Sequence, residues 1–361
     1  VRVSLFKSPI SFDVRPDQSL LDAALDAALN LPHSCKGGNC GSCRARLLQG
    51  EIYYPNGRPL GLSDPEMAEG LVLMCQARAR GDLCIETFEI TTPDQTVVKR
   101  LPARIERALP LSHDVMGLYL RLPAAETFRF EAGQYIDIIL PGGRRRSFSI
   151  ASPPHDSRLL ELHVRRVAGG EFSARLFDED MRSALLTVEG PLGQFAYRPG
   201  SGPMLMIGGG TGLAPLLGML RHVIENGIER DVTLYWGVRS ERDLYAEATL
   251  AHLASTLDAA RAAVLEEPAT SRRGSLRYVP VLSEPSAEWR GSRGWVHESV
   301  LRDIDDLSPY DVYTAGPPAM IEAVRREFAS RGVAKNRLFF DSFDYAPDSL
   351  DRQRTSAKTK S

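Results

Sequence analysis

Between Cys35 and Cys43 the chain reads Cys-Lys-Gly-Gly-Asn-Cys-Gly-Ser-Cys, and a further cysteine, Cys75, follows downstream. Thiols spaced C-x4-C-x2-C with a distant fourth match the set that holds a [2Fe–2S] cluster. Each iron takes tetrahedral sulfur, so two irons sharing two sulfides need four protein thiolates, here Cys35, Cys40, Cys43 and Cys75. Gly37, Gly38 and Gly41 suit a loop that wraps such a cluster, because glycine tolerates positive φ and brings backbone N–H groups close to sulfur. A structural zinc site is the competing use of the same cysteines, but zinc sites usually present their ligands as two close pairs. His33 lies two residues before Cys35. A Rieske centre would need two histidines, so His33 is expected to be a solvated loop residue. The fifth cysteine, Cys84, stands between Leu83 and Ile85 and is expected to be a small buried side chain.

Three other stretches offer phosphate chemistry. The first is Arg146-Ser147-Phe148-Ser149, whose arginine suits a charged hydrogen bond to phosphate and whose phenylalanine suits packing on an aromatic ring, with Ser149 donating to it. The second, Gly169-Gly170-Glu171-Phe172-Ser173, opens a predicted helix, and a helix N-terminus led by glycines presents unpaired N–H groups to a pyrophosphate. The third is the run Gly208-Gly209-Gly210-Thr211-Gly212 between an apolar strand (203–207) and a helix (213–224). Strand, glycine loop and helix make a nucleotide cradle. It is not the dinucleotide fingerprint, because Leu213 stands where the last glycine or alanine belongs, and no Gly-Lys pair supports a P-loop. Further strands are expected at 232–238, 278–282, 312–315 and 338–340, with helices at 244–254 and 318–331. A ligand lies over the carboxyl ends of such a sheet, where Gly208 to Gly212, Gly237 with Arg239, and Gly316 with Pro317 are found.

These sites need separate scaffolds. A chain of 361 residues exceeds the reach of one hydrophobic core, and 43% hydrophobic with 25% charged residues is the balance of an ordinary globular protein. The net charge of −2 gives no field for nucleic acid. Five cysteines in this length do not make a disulfide scaffold, and no apolar run approaches a membrane span. A cytoplasmic, monomeric protein with no membrane or nucleic-acid partner is the expectation. Residues 1–90 predict a hairpin, a helix over 18–29, and strands at 44–48, 71–78 and 83–88. The polar stretch 91–101 reads as a linker. Residues 102–200 predict short strands at 115–122, 134–140, 147–151, 159–167 and 185–189 with one helix at 171–180, as in an antiparallel barrel. Arg144 and Arg145 are expected in a solvated turn. Residues 201–345 form the parallel-sheet α/β unit, 261–277 a polar insertion, and 346–361 a disordered tail.

The cysteine pattern resembles the plant-type ferredoxins, which implies a β-grasp fold over 1–90. The motifs Arg-Ser-Phe-Ser and Gly-Gly-Glu-Phe-Ser resemble the flavin domain of the ferredoxin–NADP reductase superfamily, with Phe148 where the family has tyrosine. Gly-Gly-Gly-Thr-Gly-Leu-Ala-Pro, Trp-Gly-Val-Arg-Ser, Thr-Ala-Gly-Pro-Pro-Ala-Met and Phe-Asp-Ser-Phe resemble that superfamily's pyridine-nucleotide domain. The resemblance implies an FAD site at Arg146, Ser147, Phe148, Ser149, Gly170, Phe172 and Ser173. It adds His163, Val164 and Arg165 lining the flavin and Phe343 covering it. It implies NADH, with NADPH the alternative, at Gly209, Gly210, Thr211, Gly212, Gly237, Arg239, Gly316 and Pro317. The domain order is similar to the reductase components of bacterial ring-hydroxylating dioxygenases. That implies electron flow from NADH through FAD and [2Fe–2S] to a terminal oxygenase or an intermediary Rieske ferredoxin. The same path could instead serve a di-iron or P450 monooxygenase or a deoxysugar dehydratase, and a redox-sensing or docking protein is the non-enzyme reading.

Overall fold

The computed structural model describes residues 1–27, 29, 31–33, 36–38, 41–87, 98–264 and 274–343. Cys35 and Cys40, linker residues 91–97, insertion residues 265–273 and the tail 346–361 lie outside the described residues. In the first unit, Val3 and Leu5 alternate with polar neighbours and form β1 (Arg2–Leu5), which pairs with β2 (Ser11–Asp13) as the expected hairpin. Helix α1 (Leu20–Asp26) starts where the Ser19 hydroxyl accepts from the Asp22 N–H at 3.0 Å, and it buries Leu20, Leu21, Ala24 and Leu25. There follow β3 (Arg44–Gln49), β4 (Ile52–Tyr53), α2 (Asp64–Ala68), β5 (Leu71–Leu73), β6 (Arg78–Ala79) and β7 (Leu83–Thr87). The main sheet runs β2-β1-β7-β3-β5 with β1 and β7 parallel, and α1 packs across it as in a β-grasp fold. Cys84 is only half-buried. The strand's period of two turns Leu83 and Ile85 into the core and Cys84 to the other face, which corrects the sequence expectation.

The second unit begins earlier than expected, with a long strand β8 (Lys99–Pro110) that takes in Lys99 to Leu101 of the predicted linker. Leu101, Ala103 and Ile105 are buried between exposed Arg100, Pro102 and Arg104, and the strand lies inside the sheet. A proline and alternate cations concealed it, since proline is ordinarily a feature of sheet edges. Strands β9 (Val115–Arg121), β10 (Tyr135–Ile139), β11 (Arg145–Ser149) and β12 (Leu159–Arg165), helix α3 (Glu171–Asp178) and β13 (Leu185–Leu192) complete it. The antiparallel order is β11-β10-β13-β8-β9-β12, and an Ile150–Leu162 bridge joins the two ends into a barrel.

The third unit comprises β14 (Met204–Gly209), α4 (Leu213–Glu225), β15 (Val232–Val238), α5 (Glu247–Val264), β16 (Leu276–Leu282), β17 (Ser292–Arg293), α6 (Val296–Asp303), β18 (Asp311–Gly316), α7 (Pro318–Phe328) and β19 (Leu338–Ser342). All pairings are parallel, in the order β17-β16-β15-β14-β18-β19. Strand β14 is buried on both faces: Met204 and Met206 pack with α4, Leu205 and Ile207 with α6 and α7. The chain departs from β14 to one side for three strands and returns on the other at β18. The crevice between their carboxyl ends is therefore a topological switch point. Pro215 lies in the first turn of α4, where its missing N–H leaves no bond unmade.

Candidate functional site

The cluster loop is built by positive-φ positions. Gly38 has φ +84 and Gly41 φ +75, and a Cβ on Gly38 would stand 2.7 Å from the Gln76 side chain and 2.9 Å from Pro59. Cys43 and Cys75 are buried with their sulfurs 3.1 Å apart, well beyond the ~2.05 Å of a disulfide. Two thiols converging at the end of a glycine-rich loop are a donor set suited to one tetrahedral iron. Cys35 and Cys40 would complete that set and lie outside the described residues. His33 is not solvated. It is fully buried, its Nδ1 lies 2.6 Å from the Leu31 carbonyl, and its ring meets Tyr135 edge-on at 5.9 Å. Burial, with Lys36 beside it, holds its pKa down to about 4. Tyr135 comes from β10 of the barrel, a contact no local pattern announces.

The structure brings the two flavin motifs together. Arg144, just before β11, pairs with Glu171 in the first turn of α3 at 2.6 Å, and the Phe148 and Phe172 rings meet at 5.6 Å. Gly170 is the N-cap of α3 and no side chain caps it, so the helix presents backbone N–H groups beside the strand that carries Arg146. That arrangement fits a pyrophosphate. Ser173 accepts from the Val167 N–H and donates to the Gly170 carbonyl, both at 3.1 Å, and so shapes the turn. Val164 and Phe172 lie in the barrel core. Ser149 is buried, and the Ser147 hydroxyl donates to Asp137 at 2.6 Å. Arg145 is no solvated turn residue: it is bonded to Glu189, to Asp137 and to Asp26. Nothing local in the sequence distinguishes it from Arg144 or Arg146.

At the switch point the two glycine loops press on one another. A Cβ on Gly212 would stand 2.0 Å from the Ala315 carbonyl, and one on Gly209 would meet Pro317 and Met320 at 2.8 Å. The Trp236 indole donates to the Gly210 carbonyl at 2.9 Å, and Gly237, with a Cβ position 2.8 Å from Val296, admits α6. Thr211 stands half-buried in the same turn, and Arg239 is exposed beyond β15. Gly316 faces Ser342 in register, and the buried Ser342 hydroxyl has no partner among the described residues. Phe343 donates its N–H to Gly316 and packs against the nucleotide-unit core. A bare glycine cradle with an unpartnered buried hydroxyl beside it fits a dinucleotide. Trp236 and Ser342 lie within the Trp-Gly-Val-Arg-Ser and Phe-Asp-Ser-Phe motifs, but no spacing gives either of them a role.

Barrel and nucleotide unit meet through Ala132 and Phe195, which join the nucleotide unit's core, and through polar groups. Arg165 reaches across to the glycine loop, where a Cβ on Gly210 would stand 2.9 Å from its Nη1, while its Nε lies 3.1 Å from Asp114. His163 bridges Glu161 at 3.1 Å and the Tyr245 hydroxyl at 3.0 Å. Nε2 faces the carboxylate and Nδ1 the Tyr245 hydroxyl, so one ring joins a barrel acid to a nucleotide-unit phenol. Glu161 also receives Arg221 from α4 at 2.5 Å. Burial pushes Glu161 up, but His163 and Arg221 prevail and hold it at about 2.

The chain matches the 2Fe-2S iron-sulfur cluster binding domain over residues 4–80, the oxidoreductase FAD-binding domain over 102–197 and the oxidoreductase NAD-binding domain over 206–326. It is 36% identical over 343 residues to the CDP-6-deoxy-L-threo-D-glycero-4-hexulose-3-dehydrase reductase of Yersinia pestis, covering 95% of this chain and 98% of that one. It is 32% identical to terephthalate 1,2-dioxygenase reductase component 2 of a Comamonas species, covering 96% and 98%. The crystal structure of the Amycolatopsis cytochrome P450 reductase GcoB superposes with a TM-score of 0.74 at 34% identity, covering 95% and 98%. No helix among the described residues is long and apolar enough to cross a membrane.

Proposed function

Because the chain belongs to the iron–sulfur flavoprotein reductases that join a [2Fe–2S] domain to FAD- and NAD-binding domains, we propose that it draws electrons from NADH and delivers them to an oxygenase. Its partner is a terminal aromatic-ring oxygenase or an intermediary Rieske ferredoxin. The chemistry supplied by bound FAD and cluster is the conversion of a two-electron hydride into single electrons. The protein's part is to bind and orient. Gly209 to Gly212 and Gly316 with Pro317 hold the nucleotide, Arg146 and the α3 N-terminus at Gly170 hold the flavin pyrophosphate, and Cys35, Cys40, Cys43 and Cys75 hold the iron. The observation that carries the reading is that one barrel touches both other centres. The cluster loop reaches it through Lys36 and His33, and the glycine loop reaches it through Arg165.

NADH is preferred to NADPH because Ser240, the hydroxyl nearest Arg239, is committed to a cap with Asp243 at 2.9 Å. Residues 1–90, 99–200 and 201–345 are taken as the three functional domains, acting as a cytoplasmic monomer. The Yersinia relative favours a second acceptor, a deoxysugar dehydratase reached by the same electron path. Anaerobic titration of the holoprotein with NADH and then NADPH tests the reading. Flavin bleaching followed by a rhombic [2Fe–2S] electron paramagnetic resonance signal is expected, with NADH the more effective. Reduction by dithionite but by neither nucleotide would overturn it.

A further inference from the structure

The seam between the ferredoxin unit and the barrel carries charge pairs that cross in opposite senses. Lys36, in the cluster loop beside Cys35, donates its ammonium to Asp137 on β10 at 2.6 Å. In return Arg145 on β11 donates to Asp26 at the end of α1, at 2.9 Å. Asp137 is fully buried and is also bonded to Ser147 and Arg145, while Arg145 continues to Glu189 and Glu189 to Arg100. Between the pairs the seam is apolar: Tyr135 and Leu192 of the barrel are part of the ferredoxin unit's own core, and Lys36 lies over the Tyr135 ring at 5.2 Å. Lys36 is also one of three non-glycine residues at positive φ among the described residues, at φ +54, with the Gln76 amide donating to its carbonyl at 2.8 Å. Such a backbone is strained and persists where the surroundings fix it.

We propose that the Lys36–Asp137 and Asp26–Arg145 pairs clamp the cluster loop against the flavin strand, which makes Lys36 and Asp137 positioning residues for electron transfer from flavin to cluster. This rests on the electron path proposed above. Paired charges of opposite sense fix register: sliding or rotating the ferredoxin unit takes the close Lys36 ammonium from buried Asp137 and leaves only Arg145, 3.5 Å away, to balance its charge, an unfavourable state. An apolar contact at Tyr135 alone would tolerate such a shift. Electron transfer falls steeply with displacement, so the clamp acts on that step and leaves hydride transfer untouched.

The test compares wild-type holoprotein with Lys36→Gln, Lys36→Arg and Asp26→Asn. After rapid mixing with NADH, the fast absorbance phase reports flavin reduction and the slower phase cluster reduction. We expect the first phase to be unchanged in all variants. The second should slow roughly tenfold in Lys36→Gln, recover largely in Lys36→Arg and slow less in Asp26→Asn. Amide hydrogen exchange before NADH is added should show lost protection across β10 and β11 in Lys36→Gln and Asp26→Asn. A second phase at the wild-type rate in both overturns the clamp. So does a slowed phase with unchanged exchange, which would place the effect on the cluster's potential rather than on docking. If Lys36→Gln loses iron, Asp26→Asn decides, since it lies off the cluster loop. If NADH fails to reduce wild-type flavin, the electron path is wrong while the exchange result still reports on the clamp.

Discussion

At the scale of single residues the spacing joined Cys43 to the distant Cys75, whose sulfurs lie 3.1 Å apart, because a cluster fixes both ligand type and loop spacing; Cys35 and Cys40 lie outside the described residues. Gly38 and Gly41 were legible for the same reason, and their φ of +84 and +75 give that reading its conformational content. His33, Cys84 and Arg145 were not. Each owes its surroundings to residues far away in sequence: Tyr135 seals His33, the β7 register turns Cys84 aside, and Glu189 and Asp26 capture Arg145. Gly38→Ala is expected to impair cluster binding more than folding. Left-handed backbone costs a residue with a Cβ about 1–2 kcal/mol, and here the Cβ also strikes Gln76 and Pro59. Iron per protein, measured after purification beside flavin per protein, should fall in this variant while flavin is retained. An iron content equal to wild type would mean that the loop tolerates a different path.

Elements with a strong period were read from sequence nearly to their ends. The apolar run of β14 and the helices α3 and α4 fall where the pattern places them. Strand β8 was missed because Pro102 and its flanking arginines imitate a linker, although alternate residues Leu101, Ala103 and Ile105 carry the inward face. Helix α6 was missed because Trp295, a residue that does not cap, stands at its N-terminus and gives no start signal. The switch point between β14 and β18 depends on two loops approaching without side chains. Gly212→Ala places a methyl 2.0 Å from the Ala315 carbonyl, a contact backbone must move to relieve. Overpacking of this kind typically costs 1–3 kcal/mol, or about that again where only backbone can yield. Flavin reduction by NADH should slow by at least about tenfold in this variant. Flavin content and dithionite reduction of the cluster should stay as in wild type, separating a nucleotide defect from general unfolding.

At the scale of the molecule, barrel and nucleotide unit share an apolar seam, where Ala132 and Phe195 of the barrel join the nucleotide unit's core, and a few polar groups pin it. Gly218 lets α4 approach the carbonyls of Ile150 and Ser152, and Arg221 on the same helix reaches Glu161 and the Ala151 carbonyl. This seam was invisible in sequence, because Glu161 and Arg221 belong to different units and lie on amphipathic elements whose polar face looks like ordinary solvated surface. Its pH dependence follows from Glu161, held at about 2 against an ordinary 4.5. The folded state holds the carboxylate charged more strongly than the unfolded chain does. The stabilisation is therefore complete above pH 4.5 and is lost as pH falls towards 2. Glu161→Gln should lower stability at pH 7 by on the order of 2–3 kcal/mol, since the Arg221 charge and the His163 donor lose a charged acceptor while remaining buried. Denaturant unfolding of wild type and variant at pH 7 and again near pH 3 measures this. The gap between the two proteins should narrow markedly at the lower pH. A gap of the same size at both would mean that Glu161 acts through packing and that its charge does not hold the two units together.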